Sequence, residues 1–313
     1  MRKYLPEAIL ACVLAALCGA DLLTGGGGFS VPSGIVFHKL RLPRLLTALL
    51  AGGSMSLCGA EMQAVFRNPL ADPHIMGISS GAGLGASITV ALSGAAAGWG
   101  IASGALAGAL LTAACVMAVS SKVKSSTTVL LVGVMTGFIL SAATSVVQFR
   151  MSEQSLKVIY GWASGSFTGN GAAGTIIMAV CLACGTAAAL AMSKGLDIIL
   201  FGEEYASLSG APVASIRIAA MLGCCLMCAA VTAFCGPIGF VGIVAPHITR
   251  KLTGSSVHSR IIPAGIICGA AICVAADIIA NLGSIPLPAG SAVAFIGIPL
   301  ILAAMISNKE AVS

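Results

Sequence analysis

The sequence predicts an all-α, polytopic membrane protein with about ten transmembrane helices, and three observations carry that prediction. Hydrophobic residues make up 58% of the 313 residues and charged residues only 8%, against about 25% charged in an ordinary soluble domain; mean hydropathy is +1.04. Residues 73–121, 158–193, 218–249 and 278–308 contain no Asp, Glu, Lys or Arg. A helix crosses a bilayer with about 20 apolar residues, so several of these windows hold more than one crossing. The alternating ten-residue segments of a transmembrane barrel are missing from the sequence. The whole chain, residues 1–313, reads as a single transmembrane domain.

The elements follow in order. Arg2 and Lys3 precede a first span at 5–23. A basic start and an apolar run also fit a cleaved signal peptide, but the run is long for a signal core, and bulky Leu17 before Cys18 argues against lipoprotein cleavage. A Gly/Ser/Pro-containing loop at 25–40 leads to Arg41-Leu42-Pro43-Arg44 and a second span ending near Phe66, where two prolines within residues 67–73 stop the helix. Spans three and four occupy 75–92 and 99–119, and a basic, hydroxyl-rich turn at 122–128 opens span five, which runs to Phe149. Residues 150–171, with Glu153, Lys157 and Trp162, read as an interfacial segment with an aromatic anchor. Spans six and seven fall at 175–192 and 213–234. Gly236-Pro237 turns into a short eighth span ending near Arg250, and spans nine and ten fall at 261–281 and 288–306. Glycines four residues apart, as in Gly81/Gly85, Gly104/Gly108 and Gly265/Gly269, let helix backbones approach closely.

A polar island interrupts this pattern at about 197–212. Gly202 can start a short helix, with Glu203 and Glu204 in its first turn, where the peptide dipoles favour acids. Ala206 and Leu208 follow, and Gly210 and Pro212 supply a stop signal. About two turns of helix are too short to stand alone in water, so this one leans on the membrane domain, on another protein, or on both. An ordinary amphipathic connector is the plainer alternative.

Ten crossings put both termini on one side. With that side cytoplasmic, eleven of the 16 Lys and Arg lie inside, leaving Lys39, Arg41, Arg44, Arg150 and Lys157 outside, in line with the positive-inside tendency. The net charge of +6 is spread over many loops and speaks for membrane orientation, not for nucleic acid. Nearly all of the 12 cysteines sit in apolar runs, including Cys181-x-x-Cys184 and Cys224-Cys225-x-x-Cys228, with no His or acid completing a zinc set; they read as small packing residues. There is no phosphate-binding Gly-x4-Gly-Lys-Ser/Thr loop, no nucleophile elbow and no paired His on a helix face. The sequence therefore offers no catalytic residue, no metal site and no cofactor bound by this chain. Glu61 is an acid inside a predicted span, and two roles fit it: facing a wet path for a cationic or metal-bearing cargo, or pairing with a neighbouring helix. Gln63, the second candidate for the path, lies about 200° further round the helix. Asp277, near the end of span nine, caps or pairs.

Several ordered motifs carry a resemblance. Arg41-x-x-Arg44 is followed by Gly59-x3-Gln63-x4-Asn68-Pro69-Leu70-Ala71-Asp72-Pro73 and Gly77-x-Ser79-x-Gly81-Ala82; later come Gly236-Pro237-Ile238-Gly239-Phe240-Val241-Gly242, Pro246-His247-Ile248-x-Arg250, and Asp277 with Leu287-Pro288-x-Gly290. Together with the Gly-Glu-x2-Ala-x3-Gly island, this set resembles the iron-chelate and vitamin B12 (FecCD-type) permeases of bacterial ABC importers, from about residue 41 to 300.

The resemblance implies a vitamin B12 importer permease-like, type II ABC importer fold in the bacterial inner membrane, with both termini cytoplasmic. It implies a homodimer around one pathway for a siderophore, haem or cobalamin. ATP and Mg would be handled by a cytoplasmic ABC ATPase dimer, and a periplasmic or lipid-anchored substrate-binding protein would deliver cargo. By the same resemblance Gly202, Glu203, Glu204, Ala206, Leu208 and Gly210 form the ATPase-coupling loop, although relatives usually carry Leu directly before the closing Gly and here Ser209 intervenes. Arg41 and Arg44 match positions that receive carboxylates from the binding protein, a task suited to the planar two-pronged guanidinium; anchoring to lipid headgroups is the alternative. Many relatives carry a third external Arg where Asn281 stands here. Ser125 and Ser126 match the small residues that close the cytoplasmic mouth, or form a plain polar turn. The rival class, an ion-coupled secondary transporter, calls for a coupled array of intramembrane acids, and only Glu61 and Asp277 offer anything toward it.

Overall fold

The computed structural model describes residues 5–25, 28–93, 99–123 and 125–309, with side chains as far as Leu302. Arg2, Lys3 and Lys124, counted above among the inward-facing charges, lie outside the described residues. The described chain forms helices α1 (Leu5–Leu23), α2 (Gly34–Val36), α3 (Leu42–Val65), α4 (Ile78–Ser93), α5 (Trp99–Ser120), α6 (Ser126–Phe149), α7 (Glu153–Ala163), α8 (Gly171–Ile199), α9 (Glu203–Leu208), α10 (Val213–Cys235), α11 (Val241–Thr253), α12 (His258–Asn281) and α13 (Ala289–Lys309). A wider turn at Phe37–Arg41 joins α2 to α3, giving one 32-residue rod, Gly34–Val65. Pro43 sits in the first turn of α3, where its missing N–H breaks no helical bond.

Seven of the described helices are long and apolar enough to cross a membrane, and α4 and the start of α13 are shorter apolar helices. The short eighth span expected after Gly236-Pro237 is α11 (Val241–Thr253). Helix α11 has 13 residues, about 20 Å at 1.5 Å per residue, which falls short of a hydrocarbon layer of about 30 Å. An irregular segment, residues 236–240, precedes it, with Gly236 at φ 73° and Phe240 at φ 68°. A second irregular segment follows α3: Ala71, Asp72, Pro73 and Met76 are buried, so residues 71–77 fold back into the bundle. The two segments meet. His74 Nε2 lies 2.7 Å from the carbonyl of Ile238 and its Nδ1 pairs with Ser79 Oγ, while Asp72 caps the turn by accepting from the His74 amide at 2.9 Å. Irregular backbone survives at membrane depth only where protein surrounds it and its polar groups find partners, and here each segment helps to enclose the other.

Helix α3 is the centre of the bundle. Nearly every side chain from Leu45 to Val65 is buried, against α8, α10, α11 and α12. Its neighbours come within backbone contact. A methyl group on Gly52 would stand 2.2 Å from the Gly269 carbonyl oxygen, and one on Gly59 only 1.8 Å from that of Gly242. The other glycine faces pair with each other, Gly81 with Gly108 and Gly85 with Gly104, so α4 lies directly on α5. Helix α8 is longer than predicted, running to Ile199, so Asp197 belongs to its last turn and not to the loop. Asp197 Oδ1 accepts from the backbone N–H of His258 at 2.8 Å and lies 2.6 Å from its Nδ1, which starts α12 before the predicted residue 261.

Candidate functional site

Polar side chains gather at the two ends of the bundle. One end carries α9, the turn between α5 and α6, and the start of α10. Gly202 has φ 124° and Gly210 φ 79°, backbone that glycine adopts without steric cost, and these two positions bracket α9. Ala206 is fully buried in a small apolar cluster with Val65 from α3, Leu196 and Ile199 from α8, and Ile216 and Ala220 from α10. The opposite face of α9 is open: Leu208 is 89% exposed and Tyr205 58%, beside Phe201 at 79%. Glu204 is exposed as well. Ala206 is thus the apolar anchor of a six-residue helix that presents apolar groups with an acid to the outside.

Glu203 behaves differently from its neighbour. Its Oε1 accepts from the Ser126 hydroxyl and stands 3.8 Å from Arg217 Nη1. Arg217 in turn donates from Nη2 to the Val123 carbonyl at 3.1 Å. Of the two acids expected on the coupling surface, only Glu204 faces outward; Glu203 is turned back onto the bundle because a hydroxyl and a guanidinium lie within its reach. The two serines separate too. Ser125 is exposed and caps α6 by accepting from the Thr128 amide at 3.4 Å, whereas Ser126 is buried against Glu203. Arg217 was not singled out from sequence. The available signal was its place in the first turns of α10, where the helix dipole disfavours a cation that lacks an acid partner.

At the other end the arginines expected to dock a partner are buried. Arg44 and Arg41 are each 6% exposed. Arg44 Nε lies 2.7 Å from Asp277 Oδ2 on α12, and its Nη2 lies 3.5 Å from Asp21 Oδ1 and 3.0 Å from the Thr24 carbonyl at the end of α1. Arg41 donates to the carbonyls of Leu22 and Ser30, both at 2.7 Å, and to the Ser30 hydroxyl at 2.8 Å. In this structure both guanidiniums tie the start of α3 to the end of α1 and the loop after it, and Arg44 also to α12. Asn281 donates to the backbone carbonyl and the carboxylate of Asp277, at 2.8 and 3.0 Å, and so joins the same network. Asp21 was overlooked from sequence, although an acid within an apolar run is itself a signal that a partner exists.

The two side chains assigned to the path are inside the bundle instead. Glu61 is 1% exposed and its Oε2 lies 3.1 Å from Cys224 Sγ on α10. Gln63, 4% exposed, donates to the Gly242 carbonyl at 3.1 Å and accepts from Arg250 at 2.6 Å, which fixes α11 against α3. In this structure both residues contact neighbouring helices of the bundle, Glu61 on α10 and Gln63 on α11. Between α4, α6 and α7, Ser79, Ser80, Ser87, Ser141, Thr144 and Gln148 border a cavity of about 220 Å³. All 12 cysteines are unpaired, and no group of His, Cys, Asp or Glu suited to a metal occurs among the described residues.

Comparison with known proteins adds four findings. The model of the FecCD transport family matches residues 8–307. The chain is 33% identical over 305 residues to the vitamin B12 import system permease protein BtuC of Citrobacter koseri, covering 96% of this chain and 92% of that protein. It is 33% identical over 283 residues to the Fe(3+)-citrate import system permease protein YfmD of Bacillus subtilis, covering 86% and 80%. A metal-chelate type ABC transporter solved in an inward-facing conformation superposes with TM-score 0.88 at 27% identity, over 97% of this chain and 99% of that one.

Proposed function

Since the chain belongs to the FecCD transport family, and is thereby the membrane-spanning permease of an ABC importer, we propose that α9 is the surface through which a separate ATPase drives it. The exposed apolar residues around Glu204 carry this reading: Tyr205 and Leu208 lie open on a helix too short to be stable alone, with Phe201 open just before it, and a cytoplasmic partner covers them. That places the α9 end, with Arg67, Lys122 and Lys194, in the cytoplasm, in keeping with the positive-inside tendency. The Arg44 end then faces outward, toward a substrate-binding protein. ATP and Mg2+ are bound by the partner ATPase, and two permease subunits enclose one path.

The cargo class is a bulky metal chelate, a corrinoid or a ferric complex. Named relatives that import vitamin B12 and Fe(3+)-citrate support it, as do the neutral hydroxyl and amide groups on α4 and α6, which suit a ligand that carries its own coordination shell. Alternating access links the parts: closure of the ATPases shifts α9, the bundle opens toward the binding protein, and hydrolysis resets it.

The experiment is reconstitution. The permease co-expressed with an ABC ATPase and a binding protein encoded beside it is placed in proteoliposomes and offered cobalamin or ferric citrate. ATP-dependent accumulation of one of the two is expected. Uptake driven by a proton gradient without ATP, or failure of any ATPase to co-purify, refutes the reading.

A further inference from the structure

The structure connects α9 to the turn between α5 and α6 through one carboxylate and one guanidinium. Glu203 Oε1 accepts from Ser126, the first residue of α6, and faces Arg217 Nη1 at 3.8 Å. Arg217 is 7% exposed and donates to the carbonyl of Val123, inside the turn. One helical turn further along α10, Met221 Sδ accepts from Ser120, the last residue of α5, at 3.5 Å. Residues four apart lie on the same helix face, so one face of α10 holds the turn at Val123 and at Ser120, while Glu203 holds it at Ser126. Helix α9 itself is fixed to the same stretch of α10 through Ala206, packed with Ile216 and Ala220.

We propose that Arg217 is a positioning residue which, with Glu203 and Ser126, transmits displacement of α9 to Val123 and Ser126 at the junction of α5 and α6, so that the mouth of the path opens or closes in step with the ATPase. This rests on the proposed coupling role of α9 and goes beyond it, because it names the linkage that carries the motion inward. Apolar contact alone would let α9 slide over Ile216 and Ala220 at little cost, since such contacts are non-directional. A charge-assisted contact and a buried hydroxyl–carboxylate bond have directions, and the turn must follow or the bonds must break. Ser121, Lys122 and Ser125 are exposed beside Val123 and Ser126, so solvent and not packing borders that side of the junction.

The test uses the permease–ATPase complex in proteoliposomes, with uptake of cobalamin or ferric citrate, whichever the unaltered protein imports, measured against ATP hydrolysed. Hydrogen exchange of the amides of residues 121–128 is followed with and without ATP and vanadate. For Arg217→Gln the expected result is an ATPase that still co-purifies and hydrolyses ATP, uptake per ATP lower by about tenfold, and exchange at 121–128 that no longer responds to nucleotide. Arg217→Lys, which keeps the charge, should recover part of the coupling. Glu203→Gln leaves an acceptor for Ser126 and removes the ion pair at a partly exposed position; it should show the same loss in smaller measure, and it carries the test should Arg217→Gln fail to fold. Uptake per ATP within about twofold of the unaltered protein in both neutral variants, with nucleotide-responsive exchange intact, overturns the inference while leaving the coupling role of α9 standing. An unaltered permease that binds no ATPase overturns both.

Discussion

Replacing Arg44 with Met removes one guanidinium from between two carboxylates. Asp21 is fully buried and Asp277 is 3% exposed, and Arg44 is the cation recorded in ion-pair contact with each of them. The carbonyls of Asp21 and Thr24 lose a donor in the same step, at 3.3 and 3.0 Å. Breaking a buried pair by deleting one partner costs about 3–5 kcal/mol, because the remaining charge stays in a medium that solvates it poorly. The carbonyl losses belong to the same guanidinium and are not added to that figure. At about 2 °C per kcal/mol for a large domain, the melting temperature of the purified permease in mild detergent should fall by about 6–10 °C. Asp277→Asn keeps Arg44 paired with Asp21 and keeps an acceptor facing it, so its fall should be distinctly smaller. A guanidinium reserved for docking a partner gives a different pattern: Arg44→Met would melt within about 2 °C of the unaltered protein and lose binding-protein affinity in a salt-sensitive way. That outcome refutes the assignment of Arg44 to the internal network.

Three further outcomes are expected. Gly59→Ala puts a methyl group 1.8 Å from the Gly242 carbonyl oxygen; overpacking of at least about 1–3 kcal/mol should lower the yield of monodisperse protein on size-exclusion chromatography, and a normal yield would show that α3 and α11 separate more easily than the geometry says. Glu61→Gln keeps an oxygen for Cys224 and should leave uptake unchanged, whereas lost uptake in a stably folded variant would return residue 61 to the path. Leu208→Arg should cut ATPase affinity by about tenfold, as expected for a central apolar contact, measured by co-purification or by surface binding of the ATPase; undiminished binding would move the interface away from α9.

The fold was legible because its signal is redundant. Charge-free windows, the 5–23 run and the proline breaks each locate crossings independently, and the glycine pairs on α4 and α5 foretold a backbone-to-backbone contact that the structure contains. The short helix at 203–208 was also foreseeable, since Gly202 and Gly210 mark conformations that few other residues adopt readily. What the sequence could not give was direction. Glu203 and Glu204 are identical side chains in adjacent positions, and only the placement of Ser126 and Arg217, 77 and 14 residues away, sends one inward and leaves the other exposed. Arg41 and Arg44 look like free external charges until Asp21, Asp277 and the carbonyls after α1 are brought to them by packing. Helix α11 begins only at Val241 because residues 236–240 are irregular, with Gly236 at φ 73° and Phe240 at φ 68°, and the contact of His74 to Ile238 inside that segment comes from 164 residues away.

These placements divide the molecule mechanically. Helices α3 and α12 touch along their length, with Ser56 donating to the Gly265 carbonyl at 2.7 Å and Gly52 against Gly269. Arg44 closes the pair at one end, and α11 is fixed to it through Gln63 and Arg250. Buried side chains, direct backbone contact and a paired charge inside the protein all raise the cost of local opening. At the α9 end the holding contacts are fewer and nearer to solvent: one alanine in a small cluster, and a carboxylate whose side chain is 27% exposed. On the proposed linkage, a force applied at α9 meets less resistance at Val123 and Ser126 than in the α3–α12 pair. Native-state hydrogen exchange on the isolated permease should show this order directly, with amides at 121–128 and 203–211 exchanging through local opening and those in the middle of α3 and α12 exchanging only on global unfolding. Equal protection of the two sets would mean that the α9 end is as rigid as the core, and displacement of α9 would then have to swing the whole subunit.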